Sequence, residues 1–104
     1  MKKLFVSVPM RGKTDEEIKQ SIKKMHKIAE FIFGEELEVI DSYLKDGAPD
    51  GVNDPVWYLG ESIKLMAGAD YFIGVKECHE HNGCFTETYV ATAYGIPHYL
   101  VDLG

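Results

Sequence analysis

The residues whose side chains are best suited to catalysis or ligand binding lie close together between positions 78 and 87. They are two cysteines, two histidines and one glutamate: Cys78, His79, His81, Cys84 and Glu87. A carboxylate can act as a nucleophile or a base, an imidazole can donate or accept a proton near neutral pH, and thiolates with imidazoles suit zinc. The stretch that holds them, residues 76–95, follows a short apolar run and is predicted to be the active or binding loop.

Glu87 has two interpretations in this stretch. It is predicted to lie in the first turn of a helix over residues 85–94, just after a turn at Asn82 and Gly83. A carboxylate at that position interacts favourably with the helix dipole, which is a structural role. Because ligands bind at the turn between a parallel strand and the next helix, Glu87 is equally a candidate nucleophile or base at the mouth of a crevice.

The histidines and cysteines are weaker candidates. His81 could donate to a phosphate or protonate a leaving group, and the alternative is a solvated loop histidine. Adjacent Cys78 and His79 cannot easily reach one ion, and structural zinc sites usually draw a second ligand pair from elsewhere in the chain. We therefore predict no metal and no other cofactor. We also expect Cys78 and Cys84 to stay reduced, since a two-cysteine chain is typical of a reducing cytoplasm.

Two further groups complete the candidate site. Arg11 could bind a phosphate or a carboxylate with help from the N–H groups at the start of the following helix, although a lone arginine is more often a solvated charge. Trp57, Tyr58 and Ser62 open a predicted second helix, with Tyr58 and Ser62 one turn apart on one face. Aromatic rings beside a small polar group suit a flat nucleobase. They suit a core edge or a subunit interface equally well.

Hydrophobic periodicity predicts the strands and helices that must position these residues. Apolar, β-branched runs predict four strands, at residues 4–8, 37–42, 71–75 and 97–101. The first helix should begin with a capping box formed by Thr14 and Glu17 and end at Gly34. The second should be capped by Asp54, carry Pro55 at its first position and end at Gly68, and the third should end at Gly95. A polar loop is expected at residues 43–53.

This order of elements, βαβαβαβ, predicts a single α/β domain over residues 1–104. Such alternation gives a four-stranded parallel sheet covered by helices on both faces, which is a three-layer sandwich. With a strand order of 2-1-3-4, the switch point lies between the first and third strands. The loops at residues 9–13 and 76–84 should meet there. Arg11 and Glu87 are therefore predicted to share one crevice.

Composition excludes several classes of function. The chain has 104 residues and a formal net charge of −6, which argues against binding to nucleic-acid polymers or anionic membranes because both need a basic face. No apolar run approaches the ~20 residues of a membrane span, and the first residues are too short for a signal peptide. The small size limits the core, so burial of further surface in a homo-oligomer is expected.

Several of these residues form motifs that resemble a known family. The glycine, glutamate and alanine at Gly83, Glu87 and Ala91, followed by Gly95, resemble the nucleoside 2-deoxyribosyltransferase family, which includes the 2′-deoxynucleoside 5′-phosphate N-hydrolases. The segment at residues 4–12, LFVSVPMRG, resembles the first strand and the Ile-Arg-Gly loop of the hydrolases. The likeness covers nearly the whole chain through short motifs. It is closest to a branch of unknown function encoded by phages and bacteria.

The resemblance implies a Rossmann-like sheet, a homo-oligomer and a glutamate nucleophile, matched here by Glu87. In that chemistry the carboxylate attacks the anomeric carbon of a nucleoside or its 5′-monophosphate, and water or a second base resolves the glycosyl-enzyme with retention. His81 and Ser62 would then serve as auxiliary donors. The residues implied to contact substrate are Ser7, Pro9, Met10, Arg11, Gly12, Trp57, Tyr58 and Gly83.

The sequence departs from the family pattern at three positions. Phe5 stands where the family has a tyrosine that orients the glutamate. Ser62 stands in place of an aspartate, and His81 in place of an aspartate or serine. The resemblance thus implies an N-glycosidic hydrolase or deoxyribosyltransferase. A catalytically silent nucleotide-binding module is the alternative interpretation, because the usual partners of the nucleophile are replaced.

Overall fold

A computed structural model describes residues 1–42 and 47–102 of the chain. The strands are β1 (Lys2–Val6), β2 (Leu37–Val39), β3 (Tyr71–Val75) and β4 (His98–Val101). The helices are α1 (Asp15–Phe33), α2 (Asp54–Met66) and α3 (Asn82–Ala93), with a 3₁₀ helix at Lys76–Glu80. All strand pairs are parallel and the sheet order is β2-β1-β3-β4. The predicted α/β class and strand order are confirmed.

The two faces of the sheet carry separate hydrophobic cores. Leu4 and Val6 of β1 face α1 and pack in one cluster with Met25 and Ala29 of that helix. Phe5 points to the other face, where its cluster includes residues of α2 and α3 such as Met66 and Ala91. Because side chains alternate along a strand, β1 contributes to both cores and lies at the centre of the three layers.

The ends of α1 match the prediction. Thr14 accepts from the backbone N–H of Glu17, and the Glu17 carboxylate accepts in turn from the N–H of Thr14, which completes the capping box. Gly34 ends the helix in the left-handed conformation at φ 73°, where a side chain would be strained. The start of α1 is therefore held directly after the loop that leaves β1.

The ends of α2 and β2 differ from the prediction. Asn53, rather than Asp54, caps α2, because its side-chain oxygen reaches the backbone N–H of Val56. The helix ends at Met66 with Ala67 as its C-cap, and Gly68 is not left-handed, since 3₁₀-type bonds close the last turn. β2 ends at Val39 instead of residue 42, where its pairing with β1 stops. Residues 43–46 of the predicted loop 43–53 lie outside the described residues.

The start of α3 also differs from the prediction, and this difference has the largest effect on the site. The helix begins at Asn82, three residues earlier than predicted, because the N–H of Phe85 already bonds to the carbonyl of His81 at 2.8 Å. The predicted turn at Asn82 and Gly83 is thus the first helical turn. Glu87 lies in the second turn, and the first turn of α3 contains no acidic residue. A dipole role for Glu87 is wrong, since that effect falls off within one turn.

Thr88 of α3 provides a test of the packing against β3. Its hydroxyl is buried and, within the described part of the chain, has no hydrogen-bond partner. Thr88→Val replaces the hydroxyl with a methyl group of similar size, so we expect stabilisation of about 1 kcal/mol. Thr92→Val is the matched control, because the Thr92 hydroxyl donates to the carbonyl of Thr88 at 2.9 Å. Urea unfolding should show a higher midpoint for Thr88→Val alone, and a lower one would contradict this account.

Among residues 1–42 and 47–102, no helix combines the length and the apolar character needed to cross a bilayer.

Candidate active site

Three elements bring polar side chains together at the carboxyl end of β1. Ser7 directly follows this strand and extends its pairing, because its N–H donates to the carbonyl of Ile73 in β3 at 2.9 Å. The Ser7 hydroxyl donates to the Glu87 carboxylate on α3 at 2.7 Å. The Ser62 hydroxyl on α2 also acts on this carboxylate and favours its ionised form. One carboxylate is therefore under the influence of hydroxyl groups from two neighbouring elements.

The electrostatics of Glu87 are set by burial. Removal from water raises the pKa of the Glu87 carboxyl, and hydrogen bonds from Ser7 and Ser62 oppose this by favouring the ionised form. No ion pair among the described residues involves Glu87. A carboxylate that is partly desolvated and not neutralised by a cation keeps its electron density available for attack on an electrophilic carbon.

Cys84 lies three residues before Glu87 and joins the same cluster. Its thiol is buried and interacts with the Ser7 hydroxyl. Burial, together with the nearby Glu87 carboxylate and Cys78, raises the pKa of the Cys84 thiol to about 11. Both cysteines are free thiols. In the described ranges, no three His, Cys, Asp or Glu side chains are grouped so that they could hold a metal ion.

The loops after β1 and β3 do meet, as the strand order predicts. They form a cleft of about 530 Å³. Its walls come from the β1 loop, α1, β3 and the 3₁₀ segment: Pro9, Lys13, Gln20, Ser21, Lys24, Val75, Glu77, Glu80 and His81. The presence of Gln20, Ser21 and Lys24 puts this cleft on the α1 side of the sheet. Glu87 and Arg11 are not among the described residues that line it.

The side chains of His81 and Glu87 therefore lie in different environments. His81 caps the start of α3 without a side-chain bond to the helix and lines the α1-side cleft. The described contacts of the Glu87 carboxylate come instead from Ser7 and Ser62. Two side chains that are six residues apart on a helix point in clearly different directions around its axis. His81 and Glu87 therefore do not share a site, although they are close in sequence.

Comparison of the chain with models of known protein families finds no match, and searches against curated proteins and solved structures also find none.

The loop after β1 contains the candidate substrate-binding residues Met10, Arg11 and Gly12. A hydrogen bond from the N–H of Lys13 to the carbonyl of Met10 closes a turn around Arg11 and Gly12, which are both exposed. Met10 lines a second cavity of about 530 Å³, between α1 and the end of β2. Arg11 follows Ser7 by four residues, so its backbone lies at the same end of the sheet as Glu87.

Two residues lie one helical turn before Ser62 and Glu87. Tyr58 provides an aromatic surface, and Gly83 leaves open space. Tyr58 lies four residues before Ser62 on α2, which puts both on one side of that helix. Its ring packs edge-on against Trp57 with 5.1 Å between the centroids. Gly83 lies four residues before Glu87, and a Cβ added there would meet no atom within 4 Å. The helix surface next to the carboxylate is therefore unobstructed at Gly83.

The role of Ser7 is the part of the site that sequence reasoning missed. Ser7 was expected to contact substrate, and its bond to Glu87 was not expected. The available signal was alternation: Ser7 is two residues after Phe5, so both point to the face covered by α2 and α3. Phe5 is fully buried and stacks on Phe72. Phe5 stands at the position where the family pattern has a tyrosine. The Ser7 hydroxyl thus lies on the same face of the sheet as that position, two residues further along the chain.

Proposed function

We propose that this chain hydrolyses or transfers the N-glycosidic bond of a nucleoside or nucleoside 5′-monophosphate, with Glu87 as the nucleophile. The observation that carries the proposal is the bond of 2.7 Å from the Ser7 hydroxyl to a carboxylate that has no ion-pair partner among the described residues. The sequence resemblance described above supports the same chemistry.

The reaction proceeds in two displacements. The Glu87 carboxylate attacks the anomeric carbon, and the bond from that carbon to the base nitrogen breaks with its electron pair leaving on the base, which takes a proton from solvent. Water or a second base then attacks the glycosyl ester and frees Glu87, so the product retains its configuration. A carboxylate has about four lone-pair sites. The hydrogen bond from Ser7 therefore leaves lone pairs of Glu87 for the attack.

The surroundings of Glu87 suit the parts of such a substrate. The exposed Arg11 can pair with a 5′-phosphate, since a guanidinium matches phosphate geometry. Tyr58, one turn from Ser62, offers an aromatic surface to a base. The open space at Gly83 leaves room for a sugar beside the carboxylate. Assembly into a homo-oligomer stays a prediction.

The test is incubation with a panel of deoxynucleosides and their 5′-monophosphates. Free base should appear with at least one compound, and mass spectrometry of the rapidly quenched protein should show a sugar adduct on the peptide that contains Glu87. Glu87→Ala should give neither signal. If wild type releases no base above the buffer rate with any compound, the catalytic proposal is rejected.

One observation favours a second candidate, a nucleotide-binding module without turnover. Retaining glycosidases use a second carboxylic acid to handle the proton, whereas the described groups that act on Glu87 are hydroxyls. Calorimetry separates the two candidates. Binding of a monophosphate without base release, weakened by Arg11→Ala but not by Lys23→Ala on the exposed side of α1, would support the module. No binding of any nucleotide would remove it.

A further inference from the structure

The short hydrogen bond between Ser7 and Glu87 has the properties of a positioning contact. The two residues are 80 positions apart in sequence, and their oxygens are 2.7 Å apart, a distance typical of a hydroxyl bound to a charged oxygen. Ser7 is only 1% exposed. Its hydroxyl therefore cannot act as a solvent-facing nucleophile, and bulk water does not readily take its place.

We propose that Ser7 is a positioning residue that fixes the orientation of the Glu87 carboxylate. The catalytic meaning of this inference rests on the proposed function, whereas the hydrogen bond itself does not. The bond has one direction. A carboxylate only accepts, so the single proton of Ser7 points to Glu87.

The titratable groups close to Ser7 are Glu87 and Cys84. Burial is the main reason that the pKa of Cys84 is raised to about 11, the nearby Glu87 and Cys78 add to the effect, and Ser7 opposes it. Near neutral pH Cys84 is therefore an uncharged thiol, and Glu87 carries the charge next to Ser7. β1 contributes Ser7 and α2 contributes Ser62, and neither residue titrates.

The decisive experiment measures the titration of Glu87 in the chain without substrate, by NMR of carbon-13-labelled glutamate carboxyls, with Glu87→Gln to assign the signal. Ser7→Ala should raise the pKa of Glu87, because a bond that favours the ionised form is lost. Ser7→Cys keeps a weak donor of similar size and should give a smaller rise. Ser21→Ala on α1 is the matched control and should leave the titration of Glu87 unchanged.

Ser7→Cys has a second purpose, because it keeps the test decisive if Ser7→Ala fails to fold.

The kinetic readout separates this inference from the proposed function. With a substrate found by the panel assay, Ser7→Ala should lower kcat by about 10²-fold with little change in KM, as expected for a misplaced nucleophile. An unchanged Glu87 pKa in both Ser7 variants would overturn the positioning role, whatever the activity. If wild type releases no base while the pKa of Glu87 still moves as expected, the glycosidic proposal fails and the positioning role of Ser7 stands.

Discussion

Replacing Glu87 with glutamine is expected to stop base release and, at the same time, to make the chain more stable at neutral pH. The loss of activity follows from the chemistry, because an amide cannot form the glycosyl ester. We expect kcat to fall by at least about 10³-fold, as when a nucleophile is removed from other enzymes. Glutamine has nearly the same shape as glutamate, and its amide oxygen can still accept from the Ser7 hydroxyl.

The gain in stability follows from the raised pKa of Glu87. Burial makes the folded chain hold this proton more tightly than the unfolded chain does. The stability linked to the proton is therefore fully present below the unfolded pKa and is lost as pH rises through the folded pKa. Above that range the wild-type chain contains a partly desolvated negative charge. The variant contains none, and we expect a gain of about 0.5–2 kcal/mol.

Thermal unfolding followed by circular dichroism between pH 4 and pH 8 is the measurement. The Tm of Glu87→Gln should exceed that of wild type by several degrees at neutral pH, since about 1 kcal/mol shifts a domain of this size by roughly 4–8 °C. The difference should shrink towards pH 4. Glu36→Gln, at an exposed position, should show no such pattern. A Tm below wild type at neutral pH would argue that the ionised carboxylate is stabilising.

Phe72→Ala is expected to give the largest loss of stability. Phe72 lies in β3, is fully buried and stacks on Phe5 of β1 with 5.8 Å between the ring centroids. Such a truncation leaves a cavity and typically costs about 3–5 kcal/mol. Domains of this kind have a total stability of about 5–15 kcal/mol. The variant should therefore lose a large fraction of the total stability of the domain.

The matched control makes the same chemical change on the surface. Phe31 of α1 is 86% exposed, and alanine is a good helix former, so Phe31→Ala should stay within about 0.5 kcal/mol of wild type. Urea unfolding gives the midpoints of all three proteins. Equal losses for the two variants would mean that Phe31 is covered by another molecule or that Phe72 is not in the core. Phe72 packs against Phe5 of β1, and Ser7 directly follows this strand. Phe72→Ala should therefore also abolish base release.

The local features of the fold could be predicted from the sequence because local rules produce them. The capping box of Thr14 and Glu17 and the left-handed Gly34 depend on residues within one helical turn. The parallel orientation of the strands followed from the alternation of strands and helices, since parallel strands are joined by crossover connections that usually contain a helix. Glu87 was identified as a candidate from its residue type and its place after the third strand. All of this requires no knowledge of contacts between distant residues.

The arrangement of the site was decided only by the tertiary structure. The start of α3 at Asn82 depends on how the chain leaves β3 through the 3₁₀ helix, and it sets the direction in which each later side chain points. That rotation brings Glu87 to Ser7 and leaves His81 at the α1-side cleft. The burial that raises the pKa of Glu87 likewise exists only when α3 packs against the sheet. Residue types therefore identified Glu87 as a candidate, and its partners depended on packing between segments 80 residues apart.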